Sequence, residues 1–278
     1  MSTEDAGCVG PLKIEGERTA FRMLTRSMLH ASANTSLTPP KEVSVILPTL
    51  REAENLPALC ALLEAMRSEG NVDLEVLLMD DDSRDGSREW VDSHAPSWVR
   101  LVARTENFGL GPAVVDGISR ARNPYVVVGD ADLSHPLEKI PEMISLLDKG
   151  YDLVIGSRYV DGGSTGDDWH WWRAMNSRIA TWLARPLTSA RDPMAGFFAF
   201  RRSLVERGAP LDPIGFKIGL ELIVKCGVDE VAEIPIGFSR RRAGKSKLNL
   251  REQVRYLRHL WRLYLYKFGN GRHRNPRA

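Results

Sequence analysis

An α/β fold built on a mostly parallel, Rossmann-like sheet flanked by helices is predicted by three observations. Short runs rich in Val, Ile and Leu alternate with longer segments of helical spacing, charged residues collect just after those runs, and 43% hydrophobic content over 278 residues is enough for one sizeable core.

Taken in order, residues 1–40 mix Gly, Ser and Thr, close on "TPP" and contain the short helix-compatible stretch "FRMLTRSML"; they read as an N-terminal extension. From Val43 the pattern becomes regular. "VSVIL", "LEVLLM", "VRLV", "YVVV" and "DLVIG" have the continuous apolar character of strands buried on both faces. "EAENLPALCALLEAM", "GPAVVDGISRA" and "LEKIPEMISLLD" separate them with helical spacing. After Gly156 the alternation breaks into a Trp-rich helix "WHWWRAMNSRIATWLAR", a segment "DPMAGFFAF" read as a loop, a helix around "GFKIGLELIVKC" and an isolated strand "EIPIGF". The boundaries that follow are an extension over 1–40, a sheet domain over 41–248 and a basic amphipathic helix with its tail over 249–278.

Several classes are excluded at this level. The first turn reads "PTLREAEN", where a dinucleotide-binding fold would require Gly-x-Gly-x-x-Gly, and no phosphate-binding P-loop occurs. Cys8, Cys60 and Cys226 match neither a disulfide framework nor a zinc site, as expected for a reducing compartment. No apolar run reaches 18 residues, and "MSTEDAGCVG" lacks the basic-then-apolar order of a secretion signal, so a cytoplasmic location is expected.

A net charge of +2 conceals segregation. From Ser239 onward thirteen Lys and Arg face the single acid Glu252, whereas the remainder carries twenty-five basic against thirty-five acidic residues. The C-terminal end therefore suits a polyanionic partner: an anionic membrane surface, a phosphorylated ligand or nucleic acid.

In open parallel sheets, ligands gather beyond the carboxyl ends of the strands. There this chain carries "PTLRE", "MDDDSRDGS", "GDADLSH" and "GSRYV". In an extended chain Asp130 and Asp132 would point to the same side and offer four oxygens to one hard cation. The alternative for the same residues is a turn with an Asx cap before Pro136.

Together, "ILPTLREAENLP", "DDDSRDGS", "GDADLSHP", "GSRYV", "DPMAGFFAFRRS" and "RRRAGKSKL", in this order between Val43 and Leu248, resemble glycosyltransferase family 2, and within it the dolichol- or polyprenol-phosphate mannose synthases. The resemblance implies a single GT-A-type domain that moves a sugar from a nucleotide donor to a membrane lipid phosphate with inversion, using Mg²⁺ or Mn²⁺. It implies Asp130, Asp132 and Ser134 at the metal, with Ser134 standing where family members often have Gln. It places Pro48, Thr49 and Glu52 beside the nucleoside, Asp81 beside the base or ribose, and Ala131 as a backbone contact. Leu50-Arg51 replaces the usual Tyr-Asn, which removes aromatic packing on the base. Arg158, Arg173 and Ser177 match positions that hold the acceptor phosphate. Arg241 and Lys247 match a loop that closes over the phosphates, with Gly244 supplying flexibility. Glu221 matches an acid that orients those arginines or makes a structural ion pair.

An acceptor that is already a phosphate needs positioning rather than a general base, and the planar fork of Arg suits phosphate oxygens. Asp132, Arg158 and Arg173 are accordingly the residues assigned to catalysis. In "LREQVRYLRHLWRLYLYKF", Leu250, Val254, Leu257, Leu260, Trp261, Tyr264, Leu265 and Phe268 recur at helical spacing, with Arg251, Arg255, Arg258 and Arg262 largely elsewhere. That composition suits a helix lying in a membrane interface, or one packed on the core; Trp169, Trp171 and Trp172 offer a second interfacial contact. The function expected is transfer of mannose from GDP-mannose to a polyprenyl or dolichyl phosphate at the cytoplasmic membrane face, with no nucleic-acid partner. The alternatives are UDP-glucose as donor, a hydroxyl acceptor requiring a carboxylate base, or a non-catalytic sugar-nucleotide-binding protein with a basic membrane or nucleic-acid contact.

Overall fold

The structure is a computed structural model that describes residues 39–164, 171–215, 217–237 and 250–269; the side chains of 171–177, 250 and 251 lie outside that description. The N-terminal extension and the loop carrying Gly244, Arg241 and Lys247 fall outside it as well.

The alternation resolves as β1 (Lys41–Thr49), α1 (Leu56–Ser68), β2 (Val72–Asp80), α2 (Ser87–His94), β3 (Val99–Ala103), α3 (Leu110–Arg120), β4 (Tyr125–Val128), a short 3₁₀ turn (Leu137–Lys139), α4 (Ile140–Asp148) and β5 (Leu153–Ser157). After these come α5 (Trp171–Ala184), β6 (Phe198–Arg201), α6 (Ser203–Glu206), α7 (Ile218–Lys225), β7 (Val231–Pro235) and α8 (Leu250–Tyr264), which runs into a π-turn over Leu265–Gly269. Among the described residues, seven strands form one sheet in the order β3-β2-β1-β4-β6-β5-β7. Only β6 runs against its neighbours, pairing antiparallel with both β4 and β5.

One expectation is corrected here, and one helix is found that the sequence reading did not assign. "DPMAGFFAF" is not wholly a loop, because Phe198–Arg201 enters the sheet as β6. "SREWVDSH" forms α2, which a mean hydrophilic sequence concealed; Gly86, at φ 91°, makes the left-handed turn into it, and Val91 is its buried anchor.

Alternating side chains of the strands feed two cores. Val43, Val45 and Leu47 pack with Leu56, Leu59 and Leu63 of α1 and with Met143 and Leu147 of α4. On the opposite face, Ile46, Leu77 and Met79 meet Val114 and Ile118 of α3 and Leu222 of α7. Each fully buried Leu, Ile or Val contributes about 1.5–3 kcal/mol, so both faces are held by many comparable contributions. Gly117 lets α3 approach β1 closely: a Cβ there would lie 2.5 Å from Ile46 Cγ2.

The reversal of β6 bears on function. The carboxyl ends of the six parallel strands share one edge, and β6 contributes its amino end to that edge, so the 192–197 segment meets the tips of β4 and β5.

Candidate active site

Among the described residues, five non-glycine residues adopt positive φ: Arg51, Asp82, Arg84, Asn107 and Leu133. All follow the carboxyl ends of β1, β2, β3 or β4. Such conformations are unfavourable for L-residues, at about 1–3 kcal/mol each, and cluster where the backbone is held for a purpose.

Beyond β1 and β2 the carboxylates organise loops. Asp80 accepts the backbone N–H of Ser83 at 3.0 Å and the Ser83 hydroxyl, and Thr49 Oγ1 approaches it at 3.5 Å. Ser83 Oγ in turn accepts the Arg51 N–H at 2.9 Å, and Asp85 accepts the N–H of Ala53 at 3.0 Å. Burial pushes the Asp85 carboxyl up, but the hydrogen bonds from Ser87, from Ala53 and within its own backbone hold it below its ordinary range. Glu52 accepts from Asn55 Nδ2 at 2.6 Å. Pro48 is partly buried, Thr49 is buried, and Leu50 points outward.

Asp81 is not a solvated turn residue. One oxygen binds the buried Arg104 guanidinium and the other accepts the Gly109 N–H at 2.6 Å. Arg104 also donates to the Asn107 carbonyl at 2.7 Å, so Asp81 ties the tips of β2 and β3 to the start of α3. The sequence reading missed Arg104; its place directly after β3 was the available signal.

At the end of β4 the premise of the carboxylate pair is corrected. The strand stops at Val128 and the chain turns through Asp130–Ser134 with Leu133 at φ 60°, so the two aspartates do not sit on one side of an extended strand. The turn instead buries Asp132 and leaves Asp130 partly open. Asp132 Oδ1 accepts the Ser134 N–H at 3.0 Å, an Asx-type contact, and Ser134 Oγ is buried without a hydrogen-bond partner. Among the described residues no cluster of three or more His, Cys, Asp or Glu could hold a metal. Two carboxylates and an orphaned hydroxyl form an oxygen-only donor set, which fits a hard divalent cation completed by substrate phosphates. Ala131 is buried between them and presents only its backbone.

His135 does more than shape the turn. Its Nδ1 accepts the Asp130 N–H at 3.0 Å, which places the ring proton on Nε2, and the ring stacks on Phe197 at 5.4 Å. It thereby seats the Asp130–Ser134 turn against the segment leading into β6.

At the end of β5, Arg158 donates through Nε (2.8 Å) and Nη2 (2.9 Å) to the two oxygens of Asp192, which also receives the Arg158 N–H at 3.2 Å. Asp192 is fully buried, and its own N–H donates to Glu233 of β7 at 2.9 Å. Burial disfavours the Arg158 charge, but the hydrogen bonds and negative charge of Asp192 outweigh it and raise the pKa. The fork expected to face a phosphate thus has a protein partner, one the sequence reading did not assign. A Cβ on Gly163 would lie 2.7 Å from the Ser157 carbonyl, so the chain folds back tightly over this strand end. Arg173 and Ser177 lie on α5, one turn apart, with side chains outside the described residues.

Glu221 sits elsewhere. It is fully buried on α7, accepts the Asp212 N–H at 2.8 Å, pairs with Lys225 at 2.6 Å and faces His259 of α8 at 3.8 Å. It ties α8 to the domain, the structural alternative foreseen for it.

The α8 helix has two apolar faces. Leu260 and Leu263 pack against Ala184, Leu187 and Leu220, while Tyr256 and Tyr264 donate to the carbonyls of Ala180 (2.7 Å) and Leu183 (2.8 Å) on α5. Val254, Leu257, Trp261, Leu265 and Phe268 recur at helical spacing as a second, exposed stripe, and Ile179 and Trp182 of α5 are exposed as well, with Trp261 at 65% and Trp182 at 72% exposure. Arg255, Arg258 and Arg262 are exposed on the flank of that stripe.

A mostly parallel sheet whose ligand edge joins carboxylate-braced loops to an oxygen-donor turn and the buried Arg158–Asp192 ion pair suits a group-transfer enzyme. The sequence match agrees: "Glycosyl transferase family 2" describes residues 44–208, and the chain belongs to that family. It is 41% identical over 245 residues to a dolichol-phosphate mannosyltransferase of Mycosarcoma maydis, covering 85% of this chain and 83% of that one. It is 39% identical over 238 residues to the dolichol-phosphate mannosyltransferase of Saccharomyces cerevisiae, covering 82% and 89%. Among solved structures, mannosyl-3-phosphoglycerate synthase from Rubrobacter xylanophilus superposes with a TM-score of 0.62 at 19% identity, over 92% of this chain and 81% of that one. Glucosyl-3-phosphoglycerate synthase from Mycobacterium tuberculosis with Mn²⁺, UDP-glucose and glycerol 3-phosphate gives 0.56 at 22%, over 82% and 80%. The fold is therefore GT-A-type, and the protein is a glycosyltransferase.

Proposed function

We propose that the protein transfers mannose from GDP-mannose to a polyprenyl or dolichyl monophosphate, with inversion, at the cytoplasmic face of a membrane. The observation that carries this reading is the division of one edge into an oxygen-donor turn and a buried arginine site. The names of the similar mannosyltransferases supply the sugar and the lipid class. Asp130, Asp132 and Ser134 are the residues that would hold Mg²⁺ or Mn²⁺, which when bound neutralises the departing diphosphate. Asp132, buried and fixed by the Ser134 N–H, presents its carboxylate in one orientation. His135 keeps that turn in register with the segment that holds Asp192 and so Arg158. Pro48, Thr49, Glu52 and Asp81 border the nucleoside; Arg241 and Lys247 belong to the loop assigned to the phosphates.

A lipid monophosphate is an oxyanion near neutral pH, so the transfer requires its oxygen to be aligned with the sugar carbon and requires no proton abstraction from it. Arg158, with Arg173 and Ser177, supplies that alignment. A hydroxyl acceptor would need a base, whereas Glu221 is buried beneath α8 with its Oε1 held by the Asp212 N–H and by Lys225.

The exposed stripe of α8 with Trp182 and Ile179, edged by arginines, favours peripheral attachment to an anionic bilayer, each nearby Lys or Arg adding about 1 kcal/mol. Among the described residues no helix is long and apolar enough to cross a membrane. The test is incubation of the purified protein with GDP-mannose, UDP-glucose and other nucleotide sugars, Mn²⁺ and a short polyprenyl phosphate, followed by mass spectrometry of the lipid. Mannosyl phospholipid from GDP-mannose is expected. A UDP-sugar product alone would overturn the donor assignment.

A further inference from the structure

The Arg158–Asp192 pair poses a difficulty for any phosphate that is to bind there. Two of the guanidinium's donors are already on Asp192, and Asp192 is fully buried. Turning the fork toward a phosphate would leave a buried carboxylate uncompensated, which is among the more unfavourable events a protein interior can undergo. A second cation within reach of Asp192 would remove the difficulty.

Lys217 is the cation held against the same segment. It is the residue preceding α7, is partly buried, and its ammonium donates to the Met194 carbonyl at 3.3 Å, two residues along the chain from Asp192. It experiences the charges of both Asp192 and Arg158. The 192–197 segment is thereby held from three sides: by Arg158 at its start, by Lys217 at Met194, and by His135 through Phe197.

We propose that Lys217 is a positioning residue of the acceptor-phosphate site, which balances Asp192 while Arg158 turns its fork to the incoming lipid phosphate. The inference rests on the acceptor reading given above. Among the described residues the charged groups acting on Lys217 include Asp192 and Arg158, with Glu233 behind Asp192 and Tyr159 beside Arg158. Burial, with the Arg158 charge adding to it and Asp192 opposing it, lowers the Lys217 pKa to about 8. The ammonium is thus present below that value and lost as pH rises through it, so the support given to Asp192 weakens above about pH 8.

The experiment compares wild type, Lys217→Met and Lys217→Arg with GDP-mannose, Mn²⁺ and a short polyprenyl phosphate, and follows KM for donor and acceptor separately across pH 6–10 on the order of half-unit steps. For Lys217→Met, the acceptor KM is expected to rise about tenfold or more, as for loss of a charged partner, with the donor KM little changed. In wild type, kcat/KM for the acceptor should fall with an apparent pKa near that of Lys217, and Lys217→Arg should retain affinity while losing that basic limb. Thermal melting checks that the variants fold; if the Met variant does not, the pH profile of the Arg variant decides alone. An unchanged acceptor KM, an effect confined to the donor, or a basic limb that survives in Lys217→Arg would overturn the inference. Wild type that glycosylates the free polyprenol as readily as its phosphate would overturn the acceptor reading itself, a separate outcome.

Discussion

The two ends of the ligand edge are built on opposite principles. Beyond β1, β2 and β3, carboxylates are fixed by many donors: Asp80 by Ser83, Asp85 by Ala53 and Ser87, Asp81 by Arg104 and Gly109. Beyond β5 and before β6, Asp192 is held by the Arg158 fork, and Lys217 holds the Met194 carbonyl of the same segment. A fully tied network is rigid before its ligand arrives, which suits a neutral nucleoside read by shape and hydrogen bonds. A cation already paired must exchange partners, which suits an anion that arrives from elsewhere. The Asp130–Ser134 turn lies between the two, and His135 couples them.

Substitutions along the edge sharpen this contrast. Asp132→Asn removes the buried charge at the centre with little change in shape; turnover should fall on the order of a thousandfold, the several kcal/mol expected of metal-assisted charge stabilisation, while the melting temperature is nearly preserved. Full activity of that variant, or of wild type in excess EDTA, would remove the turn from the mechanism. Asp81→Asn acts at the rigid end and should be read in stability: leaving the buried Arg104 with only the more distant carboxylate of Asp116, at 3.6 Å, is expected to destabilise the fold by about 1–3 kcal/mol in denaturant titration, with a rise in donor KM. Insensitivity to this change would mean that the nucleoside end is not prestressed. At the exchanging end, Arg158→Lys should raise the acceptor KM about tenfold and leave the donor KM nearly unchanged, because a point charge does not reproduce the fork. The smallest effect on stability is expected away from the edge, for Leu257, Trp261 and Leu265 all changed to Ser. These side chains are exposed, so each should alter folding by no more than about 0.5 kcal/mol, yet sedimentation with anionic liposomes should fall clearly. An unfolded triple variant would assign the stripe to packing instead.

Legibility in the sequence followed the range of the interactions. Six of the seven strands announce themselves locally, since "VSVIL", "LEVLLM" and "YVVV" are buried on both faces whatever their partners are. The strand β6 was missed because "FFAF" becomes a strand only by fitting between β4 and β5, a long-range pairing that "DPMAGF" disguises as loop. The aspartate pair was readable as oxygen donors beyond a strand end, but not its geometry: nothing in a Leu at 133 signals a left-handed conformation. Arg158 was readable as a phosphate-holding cation at a strand tip, while its partner Asp192 lies 34 residues away and is joined to it only by the fold. The helical spacing of α8 was plain, yet the division of its apolar residues into a packed and an exposed face required knowing where α5 and α7 lie.

The contrast between a prepared nucleoside end and an anion-exchanging end is tested most directly by acceptor chemistry. With GDP-mannose and Mn²⁺ held constant, wild-type protein is given equal amounts of a short polyprenyl phosphate and the corresponding free polyprenol, and the mannosylated lipids are separated by mass. The account predicts product from the phosphate alone, because the site offers arginine in place of a base. Comparable turnover of the alcohol would contradict it.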